Sequence, residues 1–366
     1  MNIAFYAPLK MPDHPVPSGD RLMARLLVAA LEQGGHTVSL ISEMRSYARL
    51  PEADAYAEIE QQARAEISRI SDLWTTGPRP DIWFSYHPYY KAPDLLGPVL
   101  AARFQIPYVT AETSYSERRN IAYWADMQDL VLAGINRAAV NICFTKRDRK
   151  GIEAAAPAAH VSILRPFIDP VPFLQPPAPV EANSHRLITV AMMRPGDKMD
   201  SYRLLADALG HLSPQLPWSL SVVGDGEMRA DVASLFAGIA ADRITWHGEA
   251  TTAEVAGLMS QSALCVWPGY GEAYGLTYIE AQASGLPVVA MNVAGVPEAV
   301  EHEVTGLLTA SGDPIAFAGA IERLLTDRVE LKRMGQMARQ MILAERSLDQ
   351  AAKILDEILI QWTRPK

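Results

Sequence analysis

The chain has 366 residues, 49% apolar and 20% charged, with a formal net charge of −9. That length exceeds one comfortable core and favours two domains, and the acidic balance excludes wholesale nucleic-acid binding. No stretch approaches the roughly 18 uncharged apolar residues that a membrane span needs, so any membrane contact is expected to be peripheral.

In chain order, Ile3–Ala7 reads as a buried core strand and not as the start of a signal peptide, so a cytoplasmic setting is the expectation. The loop at residues 11–20 and a helix from Arg21 to Gln33 follow, the helix stopping at Gly34-Gly35. Ser18 or Asp20 is positioned to cap it, and Gly19 to bring its first amides near a ligand. Val38–Ser42, Ile82–Tyr86, Tyr108–Ala111 and Asn141–Phe144 read as further strands, separated by helical patterns. This alternation implies a parallel sheet with right-handed crossovers.

A proline-rich stretch, residues 166–185, cannot continue sheet or helix and reads as an inter-domain linker. The alternation then restarts with Leu187–Met192, Ser219–Val223, Ile244–Trp246, Leu264–Trp267 and Val288–Ala290. The expected organisation is an N-terminal Rossmann-like domain over 1–165, the linker, a second Rossmann-like domain over 186–345, and a C-terminal helix over 346–366 that packs back on the first domain. The fold class is therefore α/β, with two doubly wound domains facing across a deep cleft at their strand carboxyl ends. Cys143 and Cys265 lie far apart in apolar runs and read as reduced, buried thiols.

The most informative stretch is Pro268 to Ala290, PGYGEAYGLTYIEAQASGLPVVA. A strand runs into a glycine-rich loop, and a helix begins near Leu276. First-turn N–H groups have no partner within a helix, and the helix dipole adds positive character, so such a turn accepts phosphate. Glu272 before the turn and Glu280 within the helix suit hydroxyls on either side of a phosphate, as on a sugar and a ribose. Arg194 and Lys198 sit together on a strand-to-helix loop, in a half of the chain whose charge is otherwise acidic, and can clamp a diphosphate.

These residues resemble the donor-site signature of the retaining GT-B glycosyltransferases of family 4, the group 1 transferases. The match is Glu272, Tyr274-Gly275 and Glu280, with Gly285-Leu-Pro-Val-Val behind them. The resemblance implies a nucleotide-diphosphate sugar donor (a UDP- or GDP-sugar), transfer with retention of anomeric configuration, and no metal or other cofactor. It gives Glu272 the donor sugar hydroxyls, the backbone of Ala273, Tyr274, Gly275, Leu276 and Thr277 the sugar and diphosphate, Glu280 the ribose, and Arg194 and Lys198 the leaving diphosphate. The Arg–Lys spacing is four here where five is usual in the family.

The family's glycine-rich first loop is represented by Gly19 alone. Where many members carry a histidine after the fourth strand, this chain carries Glu112, which can steady an oxocarbenium-like centre or orient an acceptor hydroxyl. Arg118 and Arg119 follow it and can receive an anionic acceptor. His87 ends the third strand and is a candidate acceptor contact. The Trp246-His247-Gly248 turn resembles the place where the family receives the base. The acceptor itself, whether a sugar, a lipid-linked glycan or a small molecule, is not encoded in these motifs. Competing readings are a phosphorylase or nucleotide-sugar epimerase on the same architecture, and a non-catalytic nucleotide-sugar binding subunit.

Overall fold

The structure is a computed structural model describing residues 1–16, 18–50, 53–174 and 185–363. It divides into two compact units, residues 1–165 with 348–366, and residues 166–347.

In the first unit, β1 (Asn2–Tyr6), α1 (Gly19–Gln33), β2 (Thr37–Leu40), α2 (Ala53–Thr76), β3 (Ile82–Tyr86), α3 (Gly97–Phe104), β4 (Tyr108–Ala111), α4 (Trp124–Arg137), β5 (Val140–Cys143), α5 (Lys146–Ala155) and β6 (Val161–Ile163) alternate along the chain. The strands form one parallel sheet in the order β2-β1-β3-β4-β5-β6. β3, β4 and β5 are buried throughout, as the continuous apolar runs require when helices cover both faces. Ser18 caps α1 by accepting from the Arg21 N–H at 3.2 Å, which leaves Asp20 for another task.

The second unit repeats the scheme with β7 (His185–Val190), α6 (Asp197–Gly210), β8 (Trp218–Val223), α7 (Arg229–Leu235), β9 (Ile244–Gly248), α8 (Thr252–Ser260), β10 (Leu264–Val266), α9 (Leu276–Ala283), β11 (Val288–Met291), α10 (Val296–Ala299), β12 (Gly306–Thr309), α11 (Pro314–Thr326) and α12 (Arg328–Glu345). Its strand order is β12-β11-β10-β7-β8-β9, again all parallel. The last helix, α13 (Leu348–Thr363), belongs to the first unit and packs on α1, with Gln33 donating to Asp349 and His36 facing Asp356 at 3.4 Å.

Sequence patterning missed β6 and β12. Both are edge strands that are partly exposed, so they lack the wholly buried apolar run that marks the central strands of equal length. Of the proline-rich stretch, Phe167, Ile168 and Phe173 are buried, and a single 3₁₀ turn at Val171–Phe173 packs on α8 and α9; residues 175–184 lie outside the described residues. Cys143 and Cys265 are free and buried, and burial pushes both thiols up to about 12. Among the described residues no helix is long and apolar enough to cross a membrane.

Doubly wound sheets bind ligands where the strand order reverses. In the first unit that point lies between β1 and β3, and in the second between β7 and β10. The loops leaving those four strands carry Gly19, His87, Arg194, Lys198 and the Pro268–Gly275 segment.

Candidate active site

The second unit assembles its site from the loops after β7 and β10. Three contacts lace them together: the Tyr270 N–H donates to Ser201 Oγ at 3.0 Å, Lys198 pairs with Glu272 Oε1, and Gly271 lies against Asp197. Gly271 has φ +65°, and a Cβ there would come within 2.0 Å of the Asp197 carboxylate, so only glycine fits.

Glu272 is fixed on one side only. Its Oε1 accepts from Trp267 Nε1 at 3.0 Å and from the Lys198 ammonium, which also lies 5.5 Å from the centre of the Trp267 ring. Oε2 has no partner among the described residues and is left to accept a ligand hydroxyl. The Arg194 side chain is exposed and makes no hydrogen bond or ion pair with any described residue. Two cations thus attend this loop, one anchored and one free to reach a ligand.

Helix α9 begins at Gly275, whose φ of +73° needs glycine and whose missing side chain gives room to the Tyr278 ring. No side chain caps this helix, so the first-turn amides of Leu276 and Thr277 keep their donors. Tyr274 and Leu276 are buried and hold the turn from behind, Ala273 is exposed, and Thr277 Oγ1 donates to the Val190 carbonyl at 3.4 Å. Gly295 packs so closely on this loop that a Cβ would fall 1.3 Å from the Ala273 carbonyl oxygen, and its N–H donates to the Glu272 carbonyl. Glu280 is partly exposed, but its carboxyl is desolvated enough to be pushed up to about 7, and no described residue hydrogen-bonds or ion-pairs with it. Such a group is poised to gain from a ligand's hydroxyl donors.

Beside this, the β8 loop folds against the β7 loop, the Met193 N–H donating to the Asp225 carbonyl at 2.9 Å, and against the end of β9, the Gly224 N–H donating to the Gly248 carbonyl at 2.7 Å. Arg229 stacks on Trp246, 4.1 Å from the ring centre, and its Nη1 is enclosed without a hydrogen-bond partner. Sequence reasoning did not single out Arg229, Trp267 or Gly295. Trp267, directly preceding the Pro268 loop, carried the only available signal.

The first unit brings His87 and Glu112 together at the ends of neighbouring strands, where the His87 N–H donates to the Ala111 carbonyl at 2.8 Å. Both residues have positive φ, +58° and +57°, a strained conformation for side chains of this size, found where the surroundings enforce it. His87 Nδ1 lies 3.3 Å from Asp20 Oδ1. Burial alone lowers the His87 pKa, but the Glu112, Asp20 and Asp148 carboxylates outweigh it and raise it to about 9. Glu112 rises to about 7, mainly through burial, against the pull of His87; burial also raises Asp20, but His87 and Lys10 bring it below its usual value. Near neutral pH the cluster therefore holds an imidazolium beside the Asp20 carboxylate and a partly protonated Glu112, and it titrates as a unit. Asp20 and Asp148 are additions that the sequence did not mark as site residues. Gly19 starts α1 with no atom within 4 Å of where a Cβ would stand, so no neighbour in the chain requires glycine there.

Residues 184–327 match the family profile described as Glycosyl transferases group 1. The chain carries a group 1 glycosyltransferase domain. Among curated relatives, the D-inositol 3-phosphate glycosyltransferase of Corynebacterium diphtheriae is 49% identical over 71 residues, 19% of this chain and 17% of that enzyme. The N-acetyl-alpha-D-glucosaminyl L-malate synthase of Bacillus anthracis is 30% identical over 139 residues, 38% of this chain and 36% of that enzyme. The matched parts of this chain thus span only 17% to 36% of these relatives' lengths. In fold the likeness is wider. Anabaena HepE in complex with UDP superposes with a TM-score of 0.75 at 16% identity, covering 99% of this chain and 100% of that one. The sucrose-phosphate synthase of Thermosynechococcus elongatus gives 0.74 at 19% identity over 98% of both chains. The two parallel six-stranded sheets with their flanking helices are those of the GT-B glycosyltransferases.

Proposed function

We propose that the group 1 glycosyltransferase domain serves a full GT-B enzyme that moves a sugar from a nucleotide-diphosphate sugar to an acceptor hydroxyl, with retention and without a metal. The observation that carries this is the uncapped start of α9 beside the Lys198–Glu272 pair, at the point where the sheet order reverses. In this reading the Leu276 and Thr277 amides hold the diphosphate, and Arg194 and Lys198 neutralise the charge that develops on it as it leaves. Glu272 Oε2 accepts a donor-sugar hydroxyl. Glu280 accepts from the ribose, while Arg229 and the Trp246–Gly248 turn border the base. Because HepE was crystallised with UDP and with UDP-glucose, uridine donors are tried first. In the first unit, His87 and Glu112 are the groups that orient an acceptor hydroxyl. The expected setting is cytoplasmic glycan or glycoside synthesis.

The test is product analysis by proton NMR after incubation of the full chain with UDP-glucose and a panel of polyol, sugar and hydroxy-acid acceptors. An α-linked product from the α-configured donor, formed equally fast in EDTA, is the expected result. An inverted linkage or a strict divalent-cation requirement contradicts it. Donor binding with no transfer to any acceptor favours the binding-subunit reading, to which the replacement of the family histidine by Glu112 lends some support.

Glu280 gives a pH signature. Its carboxyl is protonated below about 7 when no ligand is present, and ribose hydroxyls prefer the ionised form. Nucleotide binding should therefore release a proton and strengthen as pH rises through 7, then level off. The raised value also means that the unfolded chain gives up this proton first, so the free protein loses stability as pH rises from the usual carboxylate range through 7. Glu280→Gln should flatten both profiles and weaken nucleotide binding roughly ten-fold, the worth of about one hydrogen bond to a charged group. Calorimetric titration in two buffers of different ionisation enthalpy checks it; an unchanged affinity and proton release in the variant removes Glu280 from the site.

A further inference from the structure

Tyr89 and Tyr90 follow His87 closely in the chain, and their rings form a platform with Trp124. The Tyr89 ring centre lies 5.0 Å from that of His87 and 5.3 Å from Tyr90, and Tyr90 meets Trp124 edge-on at 5.2 Å. The platform is fixed from behind. Tyr56 packs edge-on against Trp124 and its hydroxyl donates to the Tyr90 carbonyl at 3.3 Å, while the Ala48 N–H donates to the Lys91 carbonyl at 2.9 Å.

Two cations lie on its faces. Lys91 Nζ is 5.8 Å from the centre of the Tyr90 ring and 5.7 Å from that of Trp124, and the Arg119 guanidinium is 5.4 Å from Tyr90. Arg118 is adjacent, on a 3₁₀ turn tied to α4 by Gln128 donating to the Ser116 carbonyl at 2.6 Å. None of these three has a carboxylate partner among the described residues, although Arg64, Arg69, Arg149, Arg203 and Arg323 each do. An acidic protein has carboxylates to spare for its basic side chains; here it withholds them from three neighbouring cations.

We propose that Lys91 and Arg119, held on the Tyr90–Trp124 platform with Arg118 beside them, bind an anionic group, phosphate or carboxylate, carried by the acceptor. The rings keep the cations in place without neutralising them. An arginine lying on a ring keeps its in-plane N–H groups free for bidentate contact with such an anion. The platform's link to His87 through Tyr89 puts the anion one aromatic ring away from the group that orients the reactive hydroxyl. Only the word acceptor rests on the transferase reading; the anion site stands on the cations themselves.

The test is binding of two matched pairs to the full chain by calorimetry, with UDP titrated separately: inositol 3-phosphate against inositol, and L-malate against its diamide. At least one charged member should bind ten-fold or more tighter than its neutral counterpart, and which one does identifies phosphate or carboxylate. Arg119→Gln and Lys91→Gln, at surface-reaching side chains whose loss leaves the core intact, should each weaken that binding about ten-fold, and Arg118→Glu combined with Arg119→Glu should abolish it, with UDP affinity unchanged in all of them. No charged-over-neutral preference in the wild-type chain, or variants that bind as the wild type does, overturns the proposal. Absence of UDP binding with the anion preference intact instead defeats the donor reading and leaves this one standing.

Discussion

Lys198→Ala lowers kcat by roughly 10²–10³-fold, the usual effect of removing one preorganised charge from a developing anion, while donor affinity changes far less. The ammonium is held by Glu272 and lies over the Trp267 ring. Its position is therefore set before substrate arrives, and little reorganisation is needed as charge moves onto the leaving diphosphate. Alanine removes that charge and leaves Glu272 with Trp267 Nε1 as its remaining donor. Glu272→Gln separates the two effects, because a glutamine carbonyl still accepts from Trp267 whereas its charge is gone. Saturating-donor kinetics and nucleotide titration on both variants give the answer; a kcat within two-fold of wild type in Lys198→Ala takes the lysine out of the chemistry.

Gly295→Ala has the second large effect, through backbone alone. Gly295 adopts an ordinary negative φ of −96°, so alanine is acceptable conformationally, but its Cβ would stand 1.3 Å from the Ala273 carbonyl oxygen. That oxygen belongs to the segment between Glu272 and the first turn of α9, and the loop must shift by about the difference between this and a normal contact. Overpacking of this kind costs typically 1–3 kcal/mol of stability. Displacing the loop by an ångström or more should reduce kcat/KM by at least 10². The control is Gly19→Ala, which meets nothing within 4 Å and should leave the melting temperature unchanged. A Gly295→Ala variant with wild-type melting and activity would show that the loop yields freely.

The strand–glycine loop–helix–strand segment from Leu264 to Met291 was legible because its parts are local. Gly275, Glu272 and Glu280 announce a helix start and flanking carboxylates within nine residues of chain. Trp267 and Gly295 act through contacts made only on folding, and no periodicity reveals that Gly295 abuts Ala273. The first unit's cluster was half legible. His87 and Glu112 stand at predicted strand ends, but Asp148 reads as the third residue of a Thr145-capped helix, which it also is. Asp20 competed with Ser18 for the α1 cap, and its role beside His87 emerged only once Ser18 was seen to fill the cap. The edge strands β6 and β12 escaped because edge positions are only partly buried and so do not demand the continuous apolar run that revealed central strands as short as β10.

The most direct test of the donor site is calorimetric titration of the full chain with UDP, GDP, ADP, TDP and CMP. One nucleoside diphosphate should bind in the micromolar range, with affinity reduced in both Glu280→Gln and Arg229→Ala. If none binds, or if the two variants bind as tightly as the wild type, the second unit is not the nucleotide-sugar site described above.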